Sequence, residues 1–259
     1  MMTPAITGIE AHNLSIGYGR QKIASGLDLK VLAGSVTCLL GPNGVGKTTL
    51  FKTLLGLLPP LSGTVAIGGR DLAGLDRPSV ARQMAYVPQA TIAEFPYSVL
   101  DLVVMGRIAH LGAFSAPRRA DIDAAMAALD ALGISALAAR DSTQISGGQR
   151  QLALIARALA QQSRIIVMDE PTASLDLGNR LRVLDTIRGL ARDGLAVVLS
   201  THEPEHAFVV ADQVLILGRD HFASGPVETV LTSRQLSQLY GVALRVEQTP
   251  SGRHVVGPG

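Results

Sequence analysis

The sequence predicts an α/β fold: a mostly parallel central sheet, an antiparallel β part at the N-terminus and an inserted helical subdomain. Three observations carry this expectation. Short apolar, β-branched runs at 36–40, 164–168 and 196–200 have the composition of strands buried on both faces. A helical pattern at 178–191, with Val183, Leu184, Ile187, Leu190 and Ala191 on one face, joins two of those strands in a βαβ manner. Between about 90 and 162 strand signals vanish, and alanine- and leucine-rich helical patterns replace them.

Taken in order, the alternating stretches around 9–18 and 27–31 suit antiparallel strands joined by a Gly-Tyr-Gly-Arg turn. The run VTCLL at 36–40 then leads into a glycine-rich loop and a helical pattern from Lys47. Helical patterns at 119–132 and 148–161 fill the middle of the chain. After the strands at 164–168 and 196–200 come a VLIL strand at 214–217 and helical signals at 227–240. The expected organisation is one domain, 1–259. Residues 1–89 and 163–240 form its core, 90–162 the helical subdomain and 241–259 a C-terminal tail.

With 47% hydrophobic and 17% charged residues among 259, the chain can bury one sizeable core. A net charge of +2 announces neither a basic stripe nor an acidic tail, so no nucleic-acid partner is expected. Apolar runs fall far below the roughly 18 residues that cross a bilayer. The N-terminus lacks a basic start followed by an apolar stretch, which argues against a secretion signal and for the cytosol. The single cysteine, Cys38, lies in an apolar strand and reads as core, leaving no intrachain disulfide. A mean hydropathy of +0.30 points to apolar surface buried against a partner.

The strand VTCLL runs directly into GPNGVGKTTL, which fits the pattern G-x-x-x-x-G-K-[ST] from Gly41 to Thr48. Gly41, Gly44 and Gly46 let the backbone curl so that N–H groups point at phosphate oxygens, and the following helix end adds partial positive charge. Lys47 reaches the β- and γ-phosphates in such a loop, and Thr48 offers a hydroxyl oxygen to Mg²⁺. A second apolar strand ends in two acids: Asp169 suits the Mg²⁺ shell and Glu170 a general base that polarises the attacking water.

The stretch SGGQRQ from Ser146 to Gln151 opens a helix with Leu152, Ile155, Ala156 and Leu159 on one stripe. Two glycines there leave the helix N-terminus bare, which makes a second anion site. For SGG alone the favoured reading is a helix cap, with Ser146 satisfying orphan N–H groups; the surrounding residues decide against it.

Six features in this order, GPNGVGKTT, the glutamine after YVP, ISGGQ, IIVMDE, SLD and STH, resemble those of ATP-binding cassette (ABC) transporter ATPases over nearly the whole chain. The resemblance implies a P-loop NTPase core that binds and hydrolyses ATP with Mg²⁺. It places ATP against Gly41, Pro42, Asn43, Gly44, Val45, Gly46, Lys47, Thr48 and Thr49, with Tyr18 stacking on adenine. It makes Gln89 a contact to Mg²⁺ and the attacking water, and His202 a contact to the γ-phosphate. Two cassettes pack head to tail in this family. Ser146, Gly147, Gly148 and Gln149 of one chain would therefore close over ATP held by the other, with Asp176 at the interface. The one departure is Ile145 where the family usually has leucine, a volume-conserving swap.

Residues 95–112 resemble the segment through which family members contact membrane subunits, and Ser98 with Asp101 resembles a capping box; ordinary subdomain packing explains the same stretch. This stretch and 145–161 look most like cassettes of bacterial importers for iron–siderophore, haem, cobalamin or molybdate. The resemblance thus implies a second cassette, two integral membrane permease subunits and, indirectly, a substrate-binding protein, at the cytoplasmic face of the bacterial inner membrane. An export cassette and a regulatory ATP-binding module are the alternatives.

Overall fold

The computed structural model describes residues 7–89, 95–111, 115–219 and 221–259. The first residues of the region read as the helical subdomain, 90–94, and Gly112 at the end of the stretch read at 95–112 lie outside them.

The chain opens with the antiparallel pair β1 (Thr7–Tyr18) and β2 (Gln21–Leu32). Alternation alone does not describe β1. Ile9 and Ala11 are buried, and so are Leu14 and Ile16, so the inward face shifts from odd to even positions. A bulge explains the shift: Ala11 pairs with Leu29 and Leu14 with Leu27, three steps against two. Asn13 takes the extra turn at φ 46°, and its N–H donates to Asp28 Oδ1 at 2.9 Å.

β3 (Val36–Leu40) is buried at all five positions and leads into α1 (Lys47–Leu54). Burial pushes the Cys38 thiol up to about 12, as suits a core side chain. β4 (Ser62–Ile67) and β5 (Arg70–Asp71) return to β1, giving the antiparallel sheet β2-β1-β4-β5. Next come α2 (Arg77–Gln83), capped by Asp76, and β6 (Met84–Val87).

Three helices then form a body with its own core: α3 (Val99–Val104), α4 (Arg119–Ala131) and α5 (Gly147–Ala160). Val99, Val103, Ala125, Leu129, Ile134, Ile145, Ala153 and Ala156 fill it. Buried Arg107 ties the body together, 3.1 Å from Asp121 Oδ1 and 2.8 Å from the Ala160 carbonyl. Ser98 does cap α3, accepting the Asp101 N–H at 3.0 Å. Its own hydroxyl donates to the Asp101 carboxylate at 2.6 Å, so the capping box is made on one side through the side chain.

β7 (Ile165–Met168), α6 (Leu177–Arg192), β8 (Ala196–Thr201), α7 (Pro204–Val210), β9 (Gln213–Leu217) and β10 (Phe222–Pro226) complete the core. The six-stranded sheet runs β10-β9-β3-β8-β7-β6, parallel from β9 to β6 and antiparallel at β10. The helical signal at 227–240 divides into α8 (Val227–Val230) and α9 (Ser233–Tyr240), the second capped by Thr232. Residues 241–259, read as a tail, contain an antiparallel pair, β11 (Leu244–Gln248) and β12 (His254–Pro258). Among the described residues no helix is long and apolar enough to cross a membrane.

Candidate functional site

Parallel strands deliver their carboxyl ends to one edge of a sheet, and ligands gather there. β3 ends at Leu40, opposite Thr201 on β8, and β7 ends at Met168, opposite Leu199. The loop at 41–46, the acids at 169–170 and the residues after β8 therefore converge by topology.

The loop takes its shape from glycine. Gly44 has φ 78° and Gly46 φ 113°, the left-handed region that side chains resist. A Cβ on Gly46 would also sit 2.5 Å from Ile23 Cγ2, and one on Gly41 2.4 Å from the Leu217 carbonyl oxygen. Gly46 precedes α1 without any side-chain cap, so the first amides of that helix are open to an anion.

A cleft of about 340 Å³ lies over this loop. Asn43, Gly44, Gly46, Lys47, Thr48 and Thr49 line it from the loop side, Asp169 and Glu170 from β7, with Gln89 and Ile23 completing it. Lys47 is buried, and its ammonium donates to the carbonyls of Gly41 at 2.8 Å and Pro42 at 3.2 Å. It also lies 3.1 Å from Glu170 Oε1. Glu170 Oε2 is in turn 3.3 Å from His202 Nδ1. One carboxylate thus holds both the loop lysine and the histidine after β8, from a backbone at φ 46°.

Thr48 donates its hydroxyl to Asp169 Oδ2 at 2.8 Å. Ser200 donates to the other oxygen, Oδ1, at 2.6 Å and accepts the Glu170 N–H at 2.9 Å. Tyr86 donates to Oδ2 at 3.5 Å, and burial followed by the Asp169 charge pushes its phenol up to about 12. Sequence reading missed Ser200, Tyr86 and Ile23. Ser200 had a signal: with Thr201 it brings hydroxyls into a buried strand that is otherwise apolar, next to the strand that leads into the acids.

Thr48 and Asp169 present two hard oxygen donors side by side, which fits a Mg²⁺ whose remaining ligands come from phosphate and water. Among the described residues no cluster of three His, Cys, Asp or Glu side chains forms a self-sufficient metal site. This donor set suits a cation that arrives with its ligand.

Other expected residues lie elsewhere. Tyr18 is 47% exposed at the end of β1 and does not line the cleft; Ile23 is the hairpin side chain that does. None of Ser146, Gly147, Gly148 and Gln149 lines it. Their helix end is not bare, as the two glycines suggested. Ser146 Oγ accepts the Gln149 N–H at 3.2 Å and Gln149 Oε1 accepts the Ser146 N–H at 3.0 Å, a full capping box. Asp176 caps α6, accepting from Asn179 through its N–H at 2.8 Å and its side-chain amide at 2.7 Å. These two bonds hold the Asp176 carboxyl below its usual range. Asn179 lies against Gly148, where an added Cβ would stand 2.3 Å from Asn179 Cγ.

Residues 24–173 match the ABC transporter family. Over 242 residues the chain is 36% identical to the molybdate import ATP-binding protein MolC of Haemophilus influenzae, covering 93% of this chain and 90% of the relative. It is also 36% identical over 264 residues to the hemin import ATP-binding protein HmuV of Burkholderia lata, covering 94% and 97%. A solved inward-facing metal-chelate type ABC transporter superposes with a TM-score of 0.86 at 34% identity, covering 97% of this chain and 98% of that one.

Proposed function

This chain belongs to the ABC transporter family, and we propose that it is the ATP-hydrolysing subunit of an importer for a metal chelate, haem or a metal oxyanion. The observation that carries the reading is a cleft furnished with Lys47, Thr48, Asp169 and Glu170 but not with the helix end at Ser146. ATP held by the loop is half enclosed by its own chain. A second cassette, packed head to tail, brings Ser146 to Gln149 over the γ-phosphate and Asp176 to the interface.

Each side chain then has a task. The open amides of α1 and the Lys47 ammonium bind the phosphates, and Tyr18 covers the adenine. Thr48, Asp169 and Gln89 would hold Mg²⁺, which neutralises phosphate charge when bound. Ser200 keeps Asp169 oriented and Glu170 in place. Glu170 orients a water and takes its proton, and His202 holds the γ-phosphate against that water. In this structure Lys47 and His202 both contact Glu170, so phosphate must displace the carboxylate before it can act as base. ATP acts as glue between the two cassettes, and hydrolysis releases them. The cassettes drive two membrane-spanning permease subunits at the cytoplasmic face of the membrane, fed by a substrate-binding protein.

Site sharing is tested by mixing two chains, Lys47→Ala and Ser146→Arg. Each alone is inactive. A mixed dimer carries one intact composite site, so random pairing restores hydrolysis toward roughly a quarter of wild type. Mixed dimers that assemble without recovering activity would refute sharing. For the cargo class, the cassette is reconstituted with its permease and challenged with binding protein loaded with an iron chelate, haem or molybdate. One of these raises ATP turnover several-fold over unloaded binding protein, and silence towards all three removes the proposed class.

A further inference from the structure

His202 sits in a short segment between β8 and α7, and the C-terminal unit of the chain contacts both that segment and the helix that follows it. At the start, the Tyr240 hydroxyl, on the last residue of α9, donates to the His202 carbonyl at 2.6 Å. One helical turn on, Glu205 Oε1 accepts the Val256 N–H of β12 at 3.2 Å. Further along α7, the Phe208 ring stacks on His254, centroids 4.3 Å apart and planes within 16°. The C-terminal unit is itself braced. Ser237 on α9 bonds both the N–H and the carbonyl of Leu244, and Ser233 accepts the Val246 N–H at 2.9 Å. Tyr240, Leu244, Val246 and Val256 pack on the main core. Burial pushes the Tyr240 phenol well up, so its proton stays available for donation.

The opposite side of the segment is tied to the core independently. Thr201 and Thr172 both lie 3.3 Å from His206 Nδ1, and Glu203 pairs with Arg180 at 3.0 Å. The imidazole of His202, 42% exposed, projects from a backbone fixed on two sides.

We propose that the C-terminal unit, α9 with the β11–β12 hairpin, positions His202 for catalysis, and that Tyr240 is the positioning residue. This rests on the reading of His202 as the γ-phosphate contact. Tyr240 is not among the residues that line the cleft over the phosphate loop; it fixes the carbonyl of His202, whose imidazole meets Glu170.

The test is a double-mutant cycle on the full chain, following ATP hydrolysis with Tyr240→Phe, His202→Ala and the pair. Tyr240→Phe removes one hydroxyl and keeps the ring. The loss of one neutral hydrogen bond lowers kcat by about three- to tenfold, with KM for ATP and the thermal midpoint unchanged. In the His202→Ala background the same change costs less than about twofold, because there is no imidazole left to position. Unchanged kcat, a rise in KM with a fall in thermal midpoint, or an undiminished effect in the His202→Ala background would each overturn the proposal. Full activity in His202→Ala alone would instead overturn the role of His202, and this proposal with it.

Discussion

Glu170→Gln lowers ATP turnover by at least about a hundredfold, the scale of a lost general base, while ATP binding persists and dimers accumulate. The amide matches the carboxylate in shape but cannot take a proton from water. It also removes the negative charge that holds Lys47 at 3.1 Å and His202 at 3.3 Å. Both groups are then free for phosphate before ATP arrives, so affinity does not fall and closed dimers outlast the missing chemical step. Phosphate release in steady state and size-exclusion chromatography with ATP measure the two halves. A variant that hydrolyses normally and stays monomeric with ATP contradicts both the base role and the gluing role.

Lys47→Ala has the larger effect on binding. Its ammonium is steered by the Gly41 and Pro42 carbonyls into a cleft where charge-assisted contacts to phosphate contribute about 1.5 to 3 kcal/mol each. Two such contacts correspond to an affinity loss of at least about a hundredfold. The fold should survive, since Glu170 faces the cleft and regains water once its partner is gone. Titration with ATP by calorimetry and a thermal melt separate these outcomes. Wild-type affinity in this variant would remove the phosphate-site assignment.

The parts of the molecule legible in the sequence are those whose signal is local. The phosphate loop, the paired acids and the buried strands each announce themselves within about ten residues, and topology then brings them together. Long-range pairing was not legible. β4 opens with Ser62 and Gly63 and owes its strand to pairing with β1, some 50 residues away in sequence. The bulge at Asn13 broke the alternation that periodicity relies on. In residues 241–259 the hairpin is set by two serines of α9 that a tail's composition does not reveal. At the site, identities were legible but alliances were not. Nothing in IIVMDE indicates that Glu170 would bridge Lys47 and His202, or that Ser200 would hold Asp169.

The contact between Asn179 and Gly148 joins two things that the proposed dimer needs from the partner chain. Asn179 is bonded to Asp176 twice and lies against the glycine two residues beyond Ser146. A larger residue at position 148 would wedge the two helix ends apart. With glycine there, the Ser146 end of α5 and the Asp176 turn pack directly against each other. In the proposed dimer the partner cassette would therefore meet the Ser146 end and the Asp176 turn together, one over the phosphate and the other along the subunit interface.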